Sequence, residues 1–246
     1  MCTLIALHRC YPSVQLLVAA NRDEFLVRPA SGPRLHDWHG RRVIAPIDER
    51  AGGTWLGLND AGVFVALTNR PTQRLDATRR SRGLLVADAL GRGSATRAAE
   101  AALQFAANAY NPFNLFVADA HHAFAVVYEE KPRVRMLAPG AHVIGNADPD
   151  DTQVPKIARL LGEAEEIARG PEDAALDALS ALCRSHDARG DNAFERTCIH
   201  TTDYGTRSST VLRRGVQREA DVLRFASGAP CETAYEDLTP LLRALD

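Results

Sequence analysis

The chain has 246 residues, 46% of them hydrophobic, and a formal net charge of −2 at pH 7. That length falls within the range where layered sheet folds remain single units, so one domain over residues 1–246 is expected. The near-neutral balance, with no basic stripe, excludes a nucleic-acid footprint, and no apolar run approaches the roughly 18 residues of a membrane span.

The opening segment, MCTLIALHRC, carries no positive charge ahead of its apolar stretch and reads as a strand rather than a signal peptide. Five cysteines at irregular spacing (Cys2, Cys10, Cys183, Cys198 and Cys231) make a disulfide framework an unsuitable reading and fit a reducing, cytoplasmic setting. Lys131 and Lys156 are the only lysines in an arginine-rich chain.

In chain order, TLIALHR and VQLLVAAN predict two strands joined at a Tyr11–Ser13 turn containing Pro12. TWLGL and VFVALTN predict a further pair, with Asn59–Gly62 as the hairpin signal. Over residues 81–109 the period becomes helical: Leu84, Leu85, Ala89, Ala98, Ala102, Phe105 and Ala106 recur on one face, Ser94 suits an N-cap, and Asn111-Pro112 is a stop. Strands return at NLFVAD, AFAVVYE, RVRML and HVIGN. Two more helices follow, one carrying Val154, Ile157, Ala158, Leu161 and Ala164, the other Leu176, Leu179 and Leu182. TCIHTT, STVLRR and VLRFAS close the chain as strands. Hairpins alternating with helix pairs argue for an α+β class, antiparallel sheets with helices layered outside, rather than a doubly wound parallel sheet. Two sheets between two helical layers accommodate the order.

Cys2 is the first candidate for chemistry. Aminopeptidases remove Met1 before a small residue, which leaves a thiol and an α-amine on one residue. Their ordinary pKa values are near 8.5 and 7.7–8.0, so the amine can take the thiol proton without a histidine. The alternative is a small buried residue at a strand start. Asn21-Arg22-Asp23-Glu24 closes the second strand, and hairpin pairing would return Arg22 and Asp23 to the neighbourhood of Cys2, where a guanidinium favours thiolate. A charged strand-end turn is the competing reading. Asn69 and Asn146 each end a strand, as an oxyanion donor would or as ordinary turn residues do. In GGTWLG, Gly52 and Gly53 permit positive φ or close backbone approach, and Trp55 lines a pocket or packs. Arg207, in YGTRSST, polarises a nucleophile, holds an acidic group, or marks a hairpin tip. His36 and His39 form an HxxH that no nearby ligand completes, and His121 and His122 would point to opposite strand faces. No metal and no cofactor are expected.

Cys2 after Met1, NRDEF at 21–25, AGGTWLGLNDAGVFVALTNRP at 51–71, the GN step at 145–146 and YGTRSSTV at 204–211 together resemble the NRDE family, which is also the transport and Golgi organisation protein 2 family. That family is similar in turn to N-terminal nucleophile hydrolases of the choloylglycine hydrolase and penicillin V acylase type. The resemblance implies a four-layer α-β-β-α sandwich. It implies Cys2 as nucleophile with its own amine as base, Arg22 beside the nucleophile, Asp23 holding the amine, Asn69 as oxyanion donor, Asn146 orienting the amine, and Arg207 as a late active-site arginine. In the acylase branch two residues separate the first Arg and Asp; here they are adjacent, and strand neighbours face opposite sides. Two functions follow. One is an amidohydrolase or acyltransferase acting on a non-peptide acyl amide or thioester through a Cys2 thioester. The other is a non-catalytic haem or acyl-CoA/lipid binding and trafficking protein, for which His8, His36, His39, His200 and Cys2 are candidate ligands without shared context. The partner is accordingly a small acyl substrate or haem.

Overall fold

The computed structural model describes residues 2–188 and 192–245. The chain begins with β1 (Cys2–Tyr11), β2 (Val14–Phe25), β3 (Ala30–Trp38), β4 (Arg41–Asp48), β5 (Leu56–Asn59) and β6 (Phe64–Asn69). Helices α1 (Arg82–Leu90) and α2 (Ala95–Leu103) precede β7 (Phe113–Ala118), β8 (Ala123–Tyr128), β9 (Pro132–Leu137) and β10 (Gly140–Ile144). Helices α3 (Pro155–Arg169) and α4 (Glu172–Arg184) lead to β11 (Tyr204–Gly215), β12 (Val222–Ala226), β13 (Glu236–Asp237) and α5 (Thr239–Arg243).

These elements form two compact units, one of Met1–Val27 with Pro139–Leu242, the other of Arg28–Ala138 with Arg243–Asp246. The first holds a six-stranded antiparallel sheet ordered β10-β1-β2-β11-β12-β13. Alternation puts Ile5, Leu7, Leu17, Ala19, Val143 and Val211 on one face, where they pack against Ile157, Leu160 and Ala164 of α3 and Leu176 and Leu179 of α4. The i, i+3, i+7 spacing of the α3 residues is the stripe such a contact needs. The second unit is a seven-stranded antiparallel meander in chain order, β3 to β9, with Val65, Leu115, Val117 and Val126 packed against Leu85 and Val86 of α1 and Ala98 and Ala102 of α2. The α+β class is thus observed: each sheet is antiparallel and each carries a helix pair on one face.

Four local readings change. Strands β3 and β4 fill the stretch 30–48; β3 contains Gly32 and Pro33 and has no buried residue, so it presents no apolar alternation and is held by its ladder to β4. Helix α2 does begin at Ser94, whose hydroxyl accepts from the Arg97 amide, but it ends at Leu103, before Phe105. TCIHTT is a bend with a single His200–Gly205 bridge. YGTRSST is the beginning of β11 rather than a hairpin tip, and the β11–β2 register shifts between Thr206 and Ser208, which makes Arg207 the bulge residue.

Candidate active site

The register of β1, β2 and β11 sorts the site residues into faces. Cys2 pairs with Arg22, and Arg22 pairs with Ser208. Thr3 pairs with Asn21, and Asn21 with Ser209. Residues directly opposite share a face, and successive residues alternate. Asn21 faces the helices: its Nδ2 donates to the carbonyl of Cys183, the second-last residue of α4, at 2.8 Å and to that of Thr197 at 2.9 Å. Cys2 and Arg22 therefore occupy the opposite face.

Asp23 returns to the helix side, paired with Thr206, whose hydroxyl donates to Asp23 Oδ1 at 2.7 Å. Its backbone carbonyl accepts from the Tyr204 hydroxyl at 2.7 Å and lies 4.0 Å from Cys2 Sγ, within reach of the thiol proton. The adjacent Arg22 and Asp23 thus face opposite sides of the sheet. Arg22 shares the face of Cys2, while Asp23 offers it a carbonyl and sends its carboxyl to the other side.

Burial dominates the electrostatics. It pushes the Cys2 thiol above its ordinary value; the Asp23 charge adds to the rise, and Arg22 opposes it. Burial lifts Asp23, only 3% exposed, to about 6, against the pull of Lys156, the Thr206 hydroxyl and Arg22. Lys156, in the first turn of α3, is itself lowered by burial, while Asp23 and Cys2 favour its charge. Spacing did not single out this ammonium, whose charge acts on Asp23. The available signal was rarity: it is one of two lysines in the chain.

The remaining predicted residues stand as follows. Arg207, half-buried at the β11 bulge, lies between the partners of Asp23 and Arg22, and none of the described residues accepts a hydrogen bond from its buried Nε. Asn146 follows β10 by two residues, beyond the last β1–β10 pair, Leu4 with Ile144. Asn69 closes β6 in the second unit, opposite Phe113. Removal of Met1 lies outside the described residues. In GGTWLG both glycine readings hold: Gly52 has φ +69°, and a Cβ on Gly53 would come within 2.3 Å of the Gly83 carbonyl carbon. Trp55 uses its carbonyl to accept from Leu67. All five cysteines are free. His8 is buried within β1, His36 reaches the Ala45 carbonyl and stacks on Trp38, and His39 meets Asp88.

The fold that places Cys2 across from Arg22 is similar to that of N-terminal nucleophile hydrolases. The chain is similar to penicillin V acylase from Agrobacterium tumefaciens over 98% of its length and 87% of that chain, with TM-score 0.61 and 14% identity. An N-acylethanolamine-hydrolyzing acid amidase orthologue from Caenorhabditis elegans matches 85% of this chain and 92% of its own, with TM-score 0.62 and 13% identity. A conjugated bile acid hydrolase from Clostridium perfringens gives TM-score 0.58 over 98% and 93%, at 12% identity. The fold is the one the sequence resemblance implied.

The family is narrower. The Transport and Golgi organisation 2 model matches residues 1–223, and the chain belongs to that family. It is 34% identical to the Transport and Golgi organization protein 2 homolog of Bos taurus, covering 80% of this chain and 81% of that protein. The Homo sapiens homolog is 29% identical over the same shares. No helix among the described residues is long and apolar enough to cross a membrane.

Proposed function

We propose that this chain is an N-terminal-cysteine amidohydrolase or acyltransferase acting on a non-peptide acyl amide or thioester. The observation that carries the reading is the placement of Cys2 directly across from buried Arg22, with its thiol 4.0 Å from the Asp23 carbonyl. Kinship in fold with an acylase, an acid amidase and a bile acid hydrolase supports the reaction class.

In this reaction the α-amine of Cys2, exposed by loss of Met1, takes the thiol proton. The thiolate attacks the acyl carbon and the tetrahedral intermediate collapses to a Cys2 thioester as the amine returns its proton to the leaving group. Water or an acceptor amine, deprotonated by the same α-amine, then releases the acyl group and restores the thiol. Arg22 favours the thiolate, Asp23 and Asn146 orient the amine, and Arg207 holds an anionic part of the substrate. The oxyanion role of Asn69 rests on the family resemblance alone.

Intact mass before and after a thiol-directed acylating probe tests this, with Cys2→Ala as control. The expected result is a chain lacking Met1 in which Cys2 alone is rapidly modified near neutral pH. Retained Met1, or a Cys2 no faster than the other four cysteines, overturns it.

One observation favours the second reading, a haem or acyl-CoA carrier. Burial raises the Cys2 thiol, and the opposing pull of Arg22 does not reverse the shift, which suits a pocket residue better than an activated nucleophile. Titration with haem and with an acyl-CoA distinguishes it: saturable binding by Cys2→Ala together with an inert wild-type thiol assigns the carrier role.

A further inference from the structure

A second cluster of reactive side chains lies in the first unit, apart from the Cys2 row. His186, Cys198, His200 and Cys231 each turn one ligand atom inward, and the four atoms lie within 4.8 Å of one another. The two sulfurs are 3.3 Å apart. His200 Nε2 is 3.6 Å from Cys198 Sγ and 3.1 Å from Cys231 Sγ. The His186 and His200 ring centroids are 5.2 Å apart.

A tetrahedral zinc ion with Zn–S near 2.3 Å and Zn–N near 2.0–2.1 Å sets its ligand atoms about 3.3–3.8 Å from each other. The separations here, 3.1 Å at the shortest and all within 4.8 Å, bracket that range, so small side-chain shifts would close the shell, and the donor set is that of a structural zinc site. A disulfide explains it less well: bonded sulfurs stand about 2.05 Å apart, and a disulfide gives two imidazoles no reason to converge on the same point. Two thiolates and two neutral imidazoles around a divalent cation also leave no net charge, which suits a site where Cys198 is fully buried. His186 and Cys231 are exposed and provide the entry path.

Backbone contacts hold the ligands in place. The Cys198 amide donates to the Ser185 carbonyl at 2.9 Å, which fixes Cys198 beside His186. Ile199, between two ligands, exchanges bonds with Thr206: its amide donates to Thr206 Oγ1 at 2.9 Å and its carbonyl accepts from the Thr206 amide at 2.8 Å. Gly205 makes this approach possible, because a Cβ there would stand 2.7 Å from the Ile199 carbonyl. Thr206 then donates to Asp23.

The geometry points to a structural zinc site formed by His186, Cys198, His200 and Cys231, which fastens the end of α4 and the 229–233 turn to the segment that supports Thr206 and Asp23. On binding, the two thiols release their protons to solvent and the ion takes a closed four-ligand shell. Spacing does not announce these ligands: Cys231 lies 33 residues from Cys198 and joins it only in the fold.

The test uses the full chain purified under reducing conditions. Metal analysis is expected to find one zinc per chain. After chelation, added Co2+ is expected to give the intense visible bands of tetrahedral coordination with thiolate-to-cobalt charge transfer. Cys231→Ser, at an exposed position, and His200→Ala are expected to abolish stoichiometric uptake, and Cys10→Ser to leave it unchanged. Chelation is also expected to lower the melting temperature and to free the metal-held thiolates of Cys198 and Cys231 for alkylation. A reduced wild-type chain that takes up neither zinc nor cobalt stoichiometrically, a six-coordinate cobalt spectrum, or a native Cys198–Cys231 disulfide would each overturn the assignment. The cobalt spectrum of the wild type decides the matter even if a variant fails to fold.

Discussion

Asp23 and Thr206 face each other across β2 and β11, and their side chains meet as well, the threonine hydroxyl donating to Oδ1 at 2.7 Å. The same hydroxyl accepts from the Ile199 amide. One neutral side chain therefore links a buried carboxyl to the loop behind it. The hydroxyl favours the charged carboxylate, but burial outweighs it and favours the protonated form, which has a measurable consequence.

Burial raises the folded-state pKa of Asp23 from 3.8 to about 6. Between about pH 4 and pH 6 the folded chain thus binds more protons than the unfolded chain, so the stability owed to this group is complete below about pH 4 and is lost as pH rises through about 6. Asp23→Asn keeps an acceptor for Thr206 and removes the charge. It is expected to stabilise the chain by about 2–3 kcal/mol at pH 7 and to change little at pH 4. Urea unfolding at the two pH values checks this, and an equal effect at both would show that burial of the charge is not responsible.

Arg22 acts on Cys2 from the neighbouring strand, 4% exposed and on the same face. Its charge lowers the thiol pKa against burial. Arg22→Met is expected to slow Cys2 alkylation near neutral pH by about tenfold for each unit the thiol rises, with the rates converging above the thiol pKa. Arg22→Lys is expected to restore most of the rate. The pH profile of alkylation separates this from a loss of structure, which would accelerate the reaction instead.

Asn21 opens the NRDE motif and faces the helices, away from Cys2. Its amide ties β2 to the Cys183 and Thr197 carbonyls from a site only 2% exposed. Asn21→Ala strands both carbonyls and is expected to cost about 2–4 kcal/mol in denaturant unfolding. Asn59, in the second unit, serves the same purpose, donating to the carbonyls of Leu90, the last residue of α1, and Arg92 just beyond it, and accepting from the Val63 amide. Asn59→Ala is expected to cost a similar amount while leaving the alkylation rate of folded Cys2 unchanged.

The parts of the fold legible in the sequence were those written in period. The α3 stripe of Ile157 and Ala164, the Ser94 cap and the buried runs of β1, β2, β7 and β8 are local signals of burial. β3 escaped because its sequence, with Gly32, Pro33 and no buried residue, carries no alternation and takes its conformation from β4. The hairpin that brings Arg22 to Cys2 was readable from strand lengths and a turn. Which side chain shares which face was not, because the answer lies in the register and in the Arg207 bulge. Lys156 and the His186, Cys198, His200 and Cys231 cluster depend on contacts across long stretches of chain, which spacing does not encode.

The glycine pair of GGTWLG offers a test of the two reasons a chain uses glycine. Gly52 sits at φ +69° with open space where a Cβ would go. Gly52→Ala is then penalised only by backbone strain, about 1–2 kcal/mol, and Gly52→Asn by less, because asparagine tolerates that region. Gly53 has no such φ, yet its Cβ would stand 2.3 Å from the Gly83 carbonyl carbon and 2.6 Å from its oxygen at the start of α1. Both obstacles are backbone atoms, so no rotamer change relieves the clash and α1 must move. Gly53→Ala is expected to cost about 3 kcal/mol, more than Gly52→Ala, and Gly53→Asn more again. Thermal or urea unfolding of the four variants checks the order. If Gly52→Ala proved the costlier substitution, the close approach of α1 to this turn would not be what fixes the second glycine.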